Sequence, residues 1–299
     1  MQKKVLITGA NGLLANKLGE LLKDHNYYVC YLSTKKSKAT NIFYWNLAQK
    51  HIDEEALIDT DYIVHLAGYS ISNIWTKKNK IKMFDSRVKT SQLIYEKCKI
   101  LNQSPKLFIS GSAMGFYGLK THGLKREEDN PVENDWMSSL CVEWEKQADK
   151  FKDLGSRVIK LRLSLIIDKN GGILEKILLG HYFRIAFIFG DGNQPCPWIH
   201  SSDVAKFILH GINNTKIHGP INIATDQKIS FKDLIFAIEK NKNKKSIPIH
   251  LPKWFLITIM GEQSSMLFSN IILSVSKLKK YDFSCDYKTI DKAVQKEIG

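Results

Sequence analysis

The chain has few of the features that mark disulfide-bonded, metal-binding or membrane-spanning proteins. Its 299 residues include five cysteines, which are far apart and form no Cys-x-x-Cys pair. Scattered cysteines in odd number are typical of a reducing compartment, so we expect a cytoplasmic protein without a metal site. The most apolar late stretch, Trp254 to Met260, is too short to cross a bilayer, and the N-terminus shows no signal peptide.

No internal repeat or low-complexity segment interrupts the chain, and 43% of its residues are hydrophobic, which is an ordinary globular composition. Acidic residues are too few to balance the basic ones, and the net charge is +14. Such a charge can attract nucleic acid or an anionic membrane. The lysines are scattered, however, and form no aromatic-interleaved stripe. We therefore expect a solvated basic surface and neither of these partners.

Short apolar runs alternate with helical patterns through the first half of the chain. Tyr27 to Leu32, Asp61 to Gly68 and Arg157 to Ile167 are predicted strands, and Asn79 to Cys98 is a predicted helix. Strands that alternate with helices imply right-handed crossovers. We therefore predict an α/β fold with a Rossmann-type, doubly wound parallel sheet. From Pro248 onward the pattern changes to amphipathic helices.

The length of 299 residues allows one large domain or two lobes, and the change of pattern favours two. Residues 1–167, completed by about 195–224, are predicted to form a dinucleotide-binding domain. Residues 168–190 and 225–299 are predicted to form a smaller C-terminal substrate lobe.

The most informative segment is the glycine-containing turn after the first apolar run. Val5 to Thr8 is followed by Gly9, Gly12 and Ala15, and a helical pattern begins at Leu13. Unpaired N–H groups and the positive end of the macrodipole make such a helix N-terminus attractive to phosphate. Gly9 suits the tight turn, and Gly12 lets the main chain approach a pyrophosphate. The segment predicts dinucleotide binding.

Carboxylates are absent where NAD-binding proteins usually carry one. No Asp or Glu occurs between Asp24 and Asp53, and the second predicted strand leads into Ser33-Thr34-Lys35-Lys36. Hydroxyl and ammonium groups suit a 2′-phosphate, which a carboxylate would repel. We therefore predict NADP(H) rather than NAD(H). The alternative is that the two lysines are ordinary loop residues.

Several separated motifs together resemble a known family. They are Thr8-Gly9-x-x-Gly12-x-x-Ala15, Ile74-Trp75-Thr76, Asp85-Ser86-Arg87-Val88, Ser110 to Gly118, Cys141-x-x-Trp144-Glu145, Gly171 to Leu174, Trp198-Ile199-His200-x-x-Asp203, Gly219 to Asn222 and Met260-Gly261-Glu262. The chain resembles the extended short-chain dehydrogenase/reductases, and among them the atypical branch of bacterial epimerase family proteins, regarded as nucleoside-diphosphate-sugar epimerases. The resemblance implies a Rossmann domain, NADP(H) binding and a C-terminal substrate lobe.

The resemblance also implies which residues contact the dinucleotide. The residues at the pyrophosphate are Gly9, Asn11, Gly12, Leu13 and Leu14, and those at the adenosine ribose are Ser33, Thr34 and Lys35. Asn46 and Leu47 lie at the adenine, and Leu66, Ala67 and Gly68 lie at the nicotinamide ribose. Ser112 matches the active-site serine of the superfamily.

The tyrosine and lysine that carry proton transfer in this superfamily are missing from their usual helix. The matching positions hold Met137 and Cys141, and no tyrosine occurs between Tyr117 and Tyr182. Either Tyr117 and Ser112 supply the proton-transfer groups, or the chain binds the dinucleotide without turning over a substrate. A packing role in the turn after its strand is the alternative for Tyr117.

Three charged positions have structural as well as functional interpretations. Arg162 lies in an apolar run and either forms a structural ion pair or meets an anionic ligand. His200 precedes a predicted helix and is expected to cap it or to support its neighbours. Glu127, with Glu128 and Asp129, is predicted to form a solvated acidic turn.

Two functions remain open. The first is an NADP(H)-dependent oxidoreductase or epimerase that acts on a small polar substrate, such as a nucleotide sugar. The second is a non-catalytic NADP(H)-binding redox sensor or regulatory protein. A set of apolar residues in the tail favours the second as a protein-binding surface, although the same set is compatible with packing in the substrate lobe or in a homodimer. Its members are Trp254, Phe255, Ile257, Met266, Leu267, Ile271 and Leu273.

Overall fold

The computed structural model describes residues 2–242 and 245–299. The strands in this part of the chain are β1 (Lys4–Thr8), β2 (Tyr28–Ser33), β3 (Ile42–Asn46), β4 (His51–Ile52), β5 (Tyr62–His65), β6 (Leu107–Ala113), β7 (His122–Lys125), β8 (Arg157–Leu163), β9 (Leu165–Asp168), β10 (Ile185–Phe189), β11 (Trp198–His200), β12 (Gly219–Ile223), β13 (Ile247–Leu251) and β14 (Asn270–Leu273).

The α-helices are α1 (Leu13–Asp24), α2 (Lys77–Phe84), α3 (Thr90–Ile100), α4 (Trp136–Asp149), α5 (Gly172–Tyr182), α6 (Ser201–Asn213), α7 (Phe231–Lys240), α8 (Lys253–Met260), α9 (Ser276–Lys280) and α10 (Ile290–Ile298). A π-helical turn, Asp85–Lys89, joins α2 to α3. Short 3-10 helices cover Glu54–Ala56, Met114–Tyr117, Lys150–Leu154 and Gly261–Phe268.

Eight strands form the central sheet in the order β12–β8–β6–β5–β1–β2–β3–β4. β1 pairs in parallel with β2 on one side and with β5 on the other, and β5 pairs in parallel with β6. The chain thus adds β2 and β3 on one side of β1 in the sheet, and then adds β5, β6 and β8 on the other side. The carboxyl ends of β1 and β5 form the topological switch point, where doubly wound sheets bind ligands. The predicted Rossmann-type fold is confirmed.

β1 occupies the centre of the sheet because it is apolar on both faces. Val5, Leu6 and Ile7 are fully buried, as expected for a parallel strand covered by helices on both sides. α1 begins directly after the glycine turn and buries Leu18 and Leu22, which are spaced for one helical face. This arrangement places the N-terminus of α1 at the switch point.

Contacts divide the chain into two compact units. The first comprises Met1–Ser112, Ser139–Arg162 and Ala205–Ile221, and the second comprises Ala113–Ser138, Leu163–Val204 and Asn222–Gly299. Each unit has its own apolar core; the first core includes Leu6, Leu32, Phe108 and Phe151, and the second includes Ile188, Trp198, Phe231 and Ile238. The assignment of a dinucleotide-binding domain and a substrate lobe stays a prediction.

The end of the chain is less helical than the sequence pattern predicts. β13 and β14 lie in the segment near and after Pro248, where only amphipathic helices are expected, and they pair in parallel with β10 and β7. Both pairings join segments far apart in the sequence. Helical periodicity does not report such contacts, because strand formation depends on the partner strand.

Two further predicted elements are interrupted. The run from Arg157 to Ile167 forms β8 and β9, because Ser164 N donates to Ile223 O and Leu165 N donates to Pro197 O, each over 3.1 Å. The ladder therefore changes partner at Ser164. The predicted helix from Asn79 to Cys98 is α2 and α3 with the π-helical turn between them. Such turns insert one residue into a helix and often occur at functional sites.

Candidate functional site

The main chain turns sharply between β1 and α1. Gly9 has φ +83°, and a Cβ at this position would lie 3.2 Å from Cα of Ala67. A Cβ on Gly12 would lie 3.0 Å from the carbonyl oxygen of Gly9, to which Gly12 N donates over 2.7 Å. Glycine is needed at Gly9 for its conformation and at both positions for space.

The N-terminus of α1 has no side-chain cap and no acidic residue in its first turn. Leu13 and Leu14 are half-buried at the first two helical positions, where N–H groups lack an intrahelical acceptor, and Asn11 is exposed before them. An anionic group that accepts these N–H bonds is stabilised by the macrodipole. The residues present therefore fit the pyrophosphate of a dinucleotide.

The end of β2 lies beside β1 in the sheet and carries hydroxyl and basic groups. Ser33 is buried, and its Oγ accepts the N–H of Lys35 over 3.0 Å. Thr34, Lys35 and Lys36 are exposed. A polyanion bound at the N-terminus of α1 would find these cations next to it, so the residues present fit an additional phosphate.

The end of β3 contributes a cavity of ≈ 470 Å³ next to this basic turn. Lys36 Nζ lies 5.5 Å from the ring centroid of Tyr44, whose hydroxyl accepts from Nδ2 of Asn46 over 2.9 Å. Leu47 packs against the first core. The cavity is lined by Lys36, Ser37, Ile42, Tyr44, Gln49, His51 and Asp53. An aromatic wall and a lysine are suited to a flat base with a nearby phosphate.

The end of β5 is held to the end of β1 through the hydroxyl of Thr8. Its Oγ1 accepts the main-chain N–H of Leu66 (3.0 Å) and of Ala67 (2.9 Å) and lies 2.9 Å from Nδ1 of His65. Because the oxygen already accepts two bonds, its single proton goes to Nδ1. Thr8 thereby positions the segment from Leu66 to Gly68 beside the glycine turn.

The ring of His65 is neutral in this arrangement. Nε2 carries the proton and lies 3.2 Å from both the carbonyl oxygen of Arg87 and Oγ1 of Thr90. The side chain is fully buried, and loss of hydration is the main reason that its pKa falls from 6.5 to about 4. A charged ring would also lose the acceptor that Thr8 requires.

Acidification is expected to destabilise the protein through His65. The folded state holds the neutral ring, so its contribution is complete above pH 6.5 and is lost as the pH falls towards about 4. Integrated over this range, the shift corresponds to roughly 3 kcal/mol. Urea unfolding between pH 7 and pH 4 should show a steeper loss of stability for the native protein than for His65→Gln. Equal slopes would contradict the assignment, and His25→Gln, with an exposed ring, serves as the control.

Arg87, which is half-buried in the π-helical turn, lies close to the segment that follows β5. Its Nη1 donates to the carbonyl oxygens of Tyr69 (2.9 Å) and Met83 (3.1 Å), and its guanidinium lies 5.3 Å from the ring centroid of Trp144. Burial lowers its pKa to about 10, so it remains charged at neutral pH. A Cβ on Gly68 would come within 2.9 Å of this guanidinium. Within the described residues, no carboxylate forms an ion pair with it.

Ser112 belongs to a buried polar network of the first unit. Its side chain is 1% exposed, and Oγ donates to Oε1 of Glu145 over 2.7 Å. Arg162 holds the same carboxylate at both oxygens, with Nε 2.8 Å from Oε1 and Nη2 3.0 Å from Oε2. Lys160 lies 3.7 Å from Oε2. Of the two interpretations of Arg162, the structural ion pair is the one that is present.

Tyr117 lies in the second unit and is also buried, with 1% of its side chain exposed. Its hydroxyl donates to Oδ1 of Asn222 over 2.7 Å. The main-chain N–H of Asn222 donates to Oε1 of Glu127 over 2.9 Å. Glu127 is therefore a buried acceptor, and its prediction as part of a solvated turn is wrong. Ser112 and Tyr117 fall in different units, and each hydroxyl donates within its own unit.

Other predicted candidates have structural partners. His200 ends β11 directly before α6, and its Nδ1 accepts the main-chain N–H of Ser202 over 3.2 Å, as the capping prediction expects. Its Nε2 is 2.9 Å from Oε1 of the buried Glu297. Burial raises the pKa of the Cys98 and Cys196 thiols to about 12, so both stay protonated. Among the described residues, no three His, Cys, Asp or Glu side chains gather closely enough to hold a metal ion. In the same part of the chain, no helix has the length and apolarity needed to cross a bilayer.

The sequence interpretation missed the residues that organise the switch point. Thr8 and His65 end two adjacent strands, and polar residues at the ends of apolar strands are the signal that could have identified them. Arg87 and Glu145 occur in the motifs of the family resemblance, but spacing alone does not show their contacts. Only the folded chain brings Arg87 to Trp144 and Glu145 to Ser112.

Comparison with known proteins gives results that agree with this geometry. Residues 5–224 match the NAD dependent epimerase/dehydratase family. An epimerase family protein of Staphylococcus epidermidis is 27% identical over 299 residues, which cover 98% of each chain. The matched residues include the glycine turn, the ends of β2 and β5, and the segment with Ser112.

Solved structures show the same fold. The crystal structure of a human epimerase family protein, SDR39U1, with NADPH has a TM-score of 0.84 at 20% identity and covers 99% of both chains. A UDP-glucuronic acid 4-epimerase from Bacillus cereus in complex with NAD has a TM-score of 0.79 at 18% identity and covers 99% of this chain and 97% of that one. The match over residues 5–224 decides the family: the chain belongs to the NAD-dependent epimerase/dehydratase family of extended short-chain dehydrogenase/reductases.

Proposed function

We propose that the chain binds NADP(H) and acts as an oxidoreductase or epimerase on a small polar substrate, such as a nucleotide sugar. The observation that carries the proposal is the uncapped N-terminus of α1 at the switch point, entered through Gly9 at φ +83°. The Bacillus cereus neighbour acts on a sugar nucleotide and the human neighbour is a complex with NADPH, which supports the two parts of the proposal. We further propose a cytoplasmic location, with the dinucleotide held by the first unit.

The residues proposed for each part of the dinucleotide are those at the ends of the four strands β1, β2, β3 and β5. When bound, the nicotinamide supplies or accepts hydride. Asn11, Leu13 and Leu14 would bind the pyrophosphate, and Ser33, Thr34 and Lys35 the adenosine ribose. Asn46 and Leu47 would lie at the adenine, and Leu66 to Gly68 at the second ribose. Arg87 retains donors that could orient a carbonyl or an anionic group beside Gly68.

NADPH is expected to bind more tightly than NADH, and Lys35→Glu should remove most of the difference. The reversed charge beside the 2′-phosphate replaces an attraction by a repulsion and should raise the dissociation constant for NADPH about tenfold. The dissociation constant for NADH should not change, because NADH lacks that phosphate. Calorimetric titration of both dinucleotides measures this. Lys99→Glu makes the same change of net charge at the exposed end of α3 and should have little effect. Equal affinities of the native protein for the two dinucleotides would contradict the choice of NADP(H).

The second candidate function is a non-catalytic NADP(H)-binding sensor. Burial of the Ser112 and Tyr117 hydroxyls favours it, because both donate to internal carbonyl or carboxylate oxygens. If Tyr117 is the acid or base, Tyr117→Phe should abolish NADPH-dependent turnover and leave NADPH affinity unchanged. The assay is conversion of nucleotide sugars in the presence of NADP+ or NADPH, followed by analysis of the sugar products, because an epimerase returns the hydride and leaves the dinucleotide unchanged. Binding without conversion of any of them would favour the sensor, whereas turnover that survives Tyr117→Phe would exclude Tyr117 as the proton-transfer group.

A further inference from the structure

Helix α8, in the second unit, is apolar around its whole circumference and yet exposed. Its sequence is Lys-Trp-Phe-Leu-Ile-Thr-Ile-Met, and Leu256 is the buried member. Trp254 is 68% exposed, Ile259 62% and Ile257 46%. Trp254 and Ile257, three positions apart, lie on one side of the helix, and Ile259, two positions beyond Ile257, lies on the opposite side. A helix that is apolar on every side normally lies in a core or in a membrane.

Exposed apolar residues also occur on the two-stranded sheet that directly precedes α8 in the chain. β13 leads into α8 through Pro252, and its outward residues Ile247 and Ile249 are paired in register with Ile185 and Phe187 of β10. Ile247, Ile249 and Phe187 are exposed. Groups of exposed apolar side chains rimmed by polar residues mark sites of interaction with another protein, a membrane or a ligand.

Basic groups border this surface. Three basic residues are exposed: Arg184 directly before β10, Lys245 two positions before β13, and Lys253 at the first position of α8. A cavity of ≈ 550 Å³ opens beside α8 and contains one carboxylate, on Glu262, against Lys120, His122 and Lys253. Apolar residues flanked by these cations are complementary to a phase that is apolar inside and anionic at its surface.

We propose that this apolar–basic surface, formed by α8, the outward face of β10 and β13, and the three bordering cations, binds the surface of an anionic lipid bilayer. α8 enters the boundary between headgroups and acyl chains, where an exposed helix buries its apolar side chains to a depth of about 5–10 Å. The cations stay at the level of the phosphates. The contact is peripheral and requires no membrane-spanning helix. The scattered lysines alone did not predict it, because the apolar part depends on the fold.

A second copy of the chain is the main competing occupant. Pairing two such surfaces face to face would bring Arg184, Lys245 and Lys253 of both copies together, in a chain whose net charge is already +14. Like charges across an interface oppose association, whereas anionic lipid neutralises them. Charge therefore favours the bilayer over the homodimer.

The test is sedimentation of the full chain with phosphatidylcholine vesicles and with equimolar phosphatidylcholine and phosphatidylglycerol vesicles. The proposal expects binding to the anionic vesicles only, and a loss of at least about tenfold in the double variant Trp254→Glu/Ile259→Glu, since charges in the apolar boundary are expelled. Both side chains are exposed, so the variant should keep its fold and its NADPH affinity. Ile81→Glu/Ile100→Glu introduces the same charges at exposed apolar positions of α2 and α3 and should bind as the native protein does.

Insertion is distinguished from simple charge attraction by brominated lipids, which quench tryptophan fluorescence within the acyl region. Quenching is expected in the native chain and should disappear in Trp254→Phe, although five other tryptophans remain. Failure to bind anionic vesicles would overturn the proposal, as would binding that survives the double variant. A dimer in sedimentation equilibrium that the double variant dissociates, together with no vesicle binding, would assign the surface to a second copy instead.

Discussion

Replacing Arg162 by leucine is expected to lower the free energy of unfolding by about 3–5 kcal/mol, the largest effect of any single change considered. The guanidinium holds both oxygens of Glu145, which is almost completely buried. Its removal leaves a buried carboxylate with the more distant Lys160 and the hydroxyl of Ser112. Breaking one partner of a buried ion pair costs this amount because the remaining charge has lost both water and its partner. Urea denaturation at neutral pH measures the change.

The double variant Arg162→Leu/Glu145→Leu separates two quantities: the destabilisation caused by an unpaired buried charge, and the contribution of the intact ion pair to the free energy of unfolding. Its stability should recover most of the loss, because apolar replacement of both partners is often neutral. Lys146→Ala breaks the exposed pair with Glu143 on the same helix and should change stability by about 0.5 kcal/mol or less. A small effect of Arg162→Leu, or a double variant as unstable as the single one, would show that the network does not stabilise this unit.

Gly9→Ala is expected to weaken NADPH binding by at least about tenfold, or 1.4 kcal/mol. Two costs act together. The left-handed conformation at φ +83° disfavours any L-residue by roughly 1–2 kcal/mol, and the new methyl group lies 3.2 Å from Cα of Ala67. Relief of this contact must separate the ends of β1 and β5 and thereby move the N–H groups of Leu13 and Leu14. Isothermal titration with NADPH measures the loss of affinity.

Gly155→Ala is a matched control for the cost of placing an alanine in a left-handed backbone conformation. Gly155 lies in the same unit with φ +78°, and a Cβ there would meet nothing within 4 Å. The two variants should lose comparable stability from backbone strain, but Gly155→Ala should retain the native affinity for NADPH. If Gly9→Ala also retains it, the glycine turn does not hold the dinucleotide.

The sheet and the glycine turn could be predicted because their signals are local. Val5 to Thr8, Gly9 and Gly12 follow one another directly, so spacing alone predicts a strand, a turn and a helix start. The family resemblance, carried by motifs along the whole chain, is confirmed by the match over residues 5–224. The identity of the dinucleotide and that of the substrate stay predictions. The choice between NADP(H) and NAD(H) depends on how the exposed residues at the end of β2 contact a bound ligand.

The partners of the predicted catalytic residues could not be foreseen from local patterns. Ser112 reaches a carboxylate 33 positions away, and Tyr117 reaches Asn222 over a separation of 105 positions. Glu127 meets the N–H of Asn222 across 95 positions, so a cluster of acidic residues looked solvated in the sequence. β13 and β14 were missed for the same reason, since each exists through a distant strand.

The link from Thr8 to the end of β5 has a consequence for the direction in which a dinucleotide lies. The amide protons of Leu66 and Ala67 are already taken by the threonine oxygen, so the main chain there offers carbonyl oxygens and attracts hydroxyl or amide donors. Beyond the end of the neighbouring strand β1, the start of α1 offers N–H groups and attracts oxyanions. Two neighbouring strand ends thus have opposite hydrogen-bonding polarity. A bound molecule with phosphates at its middle and a sugar carboxamide at one end can satisfy both ends in a single orientation only.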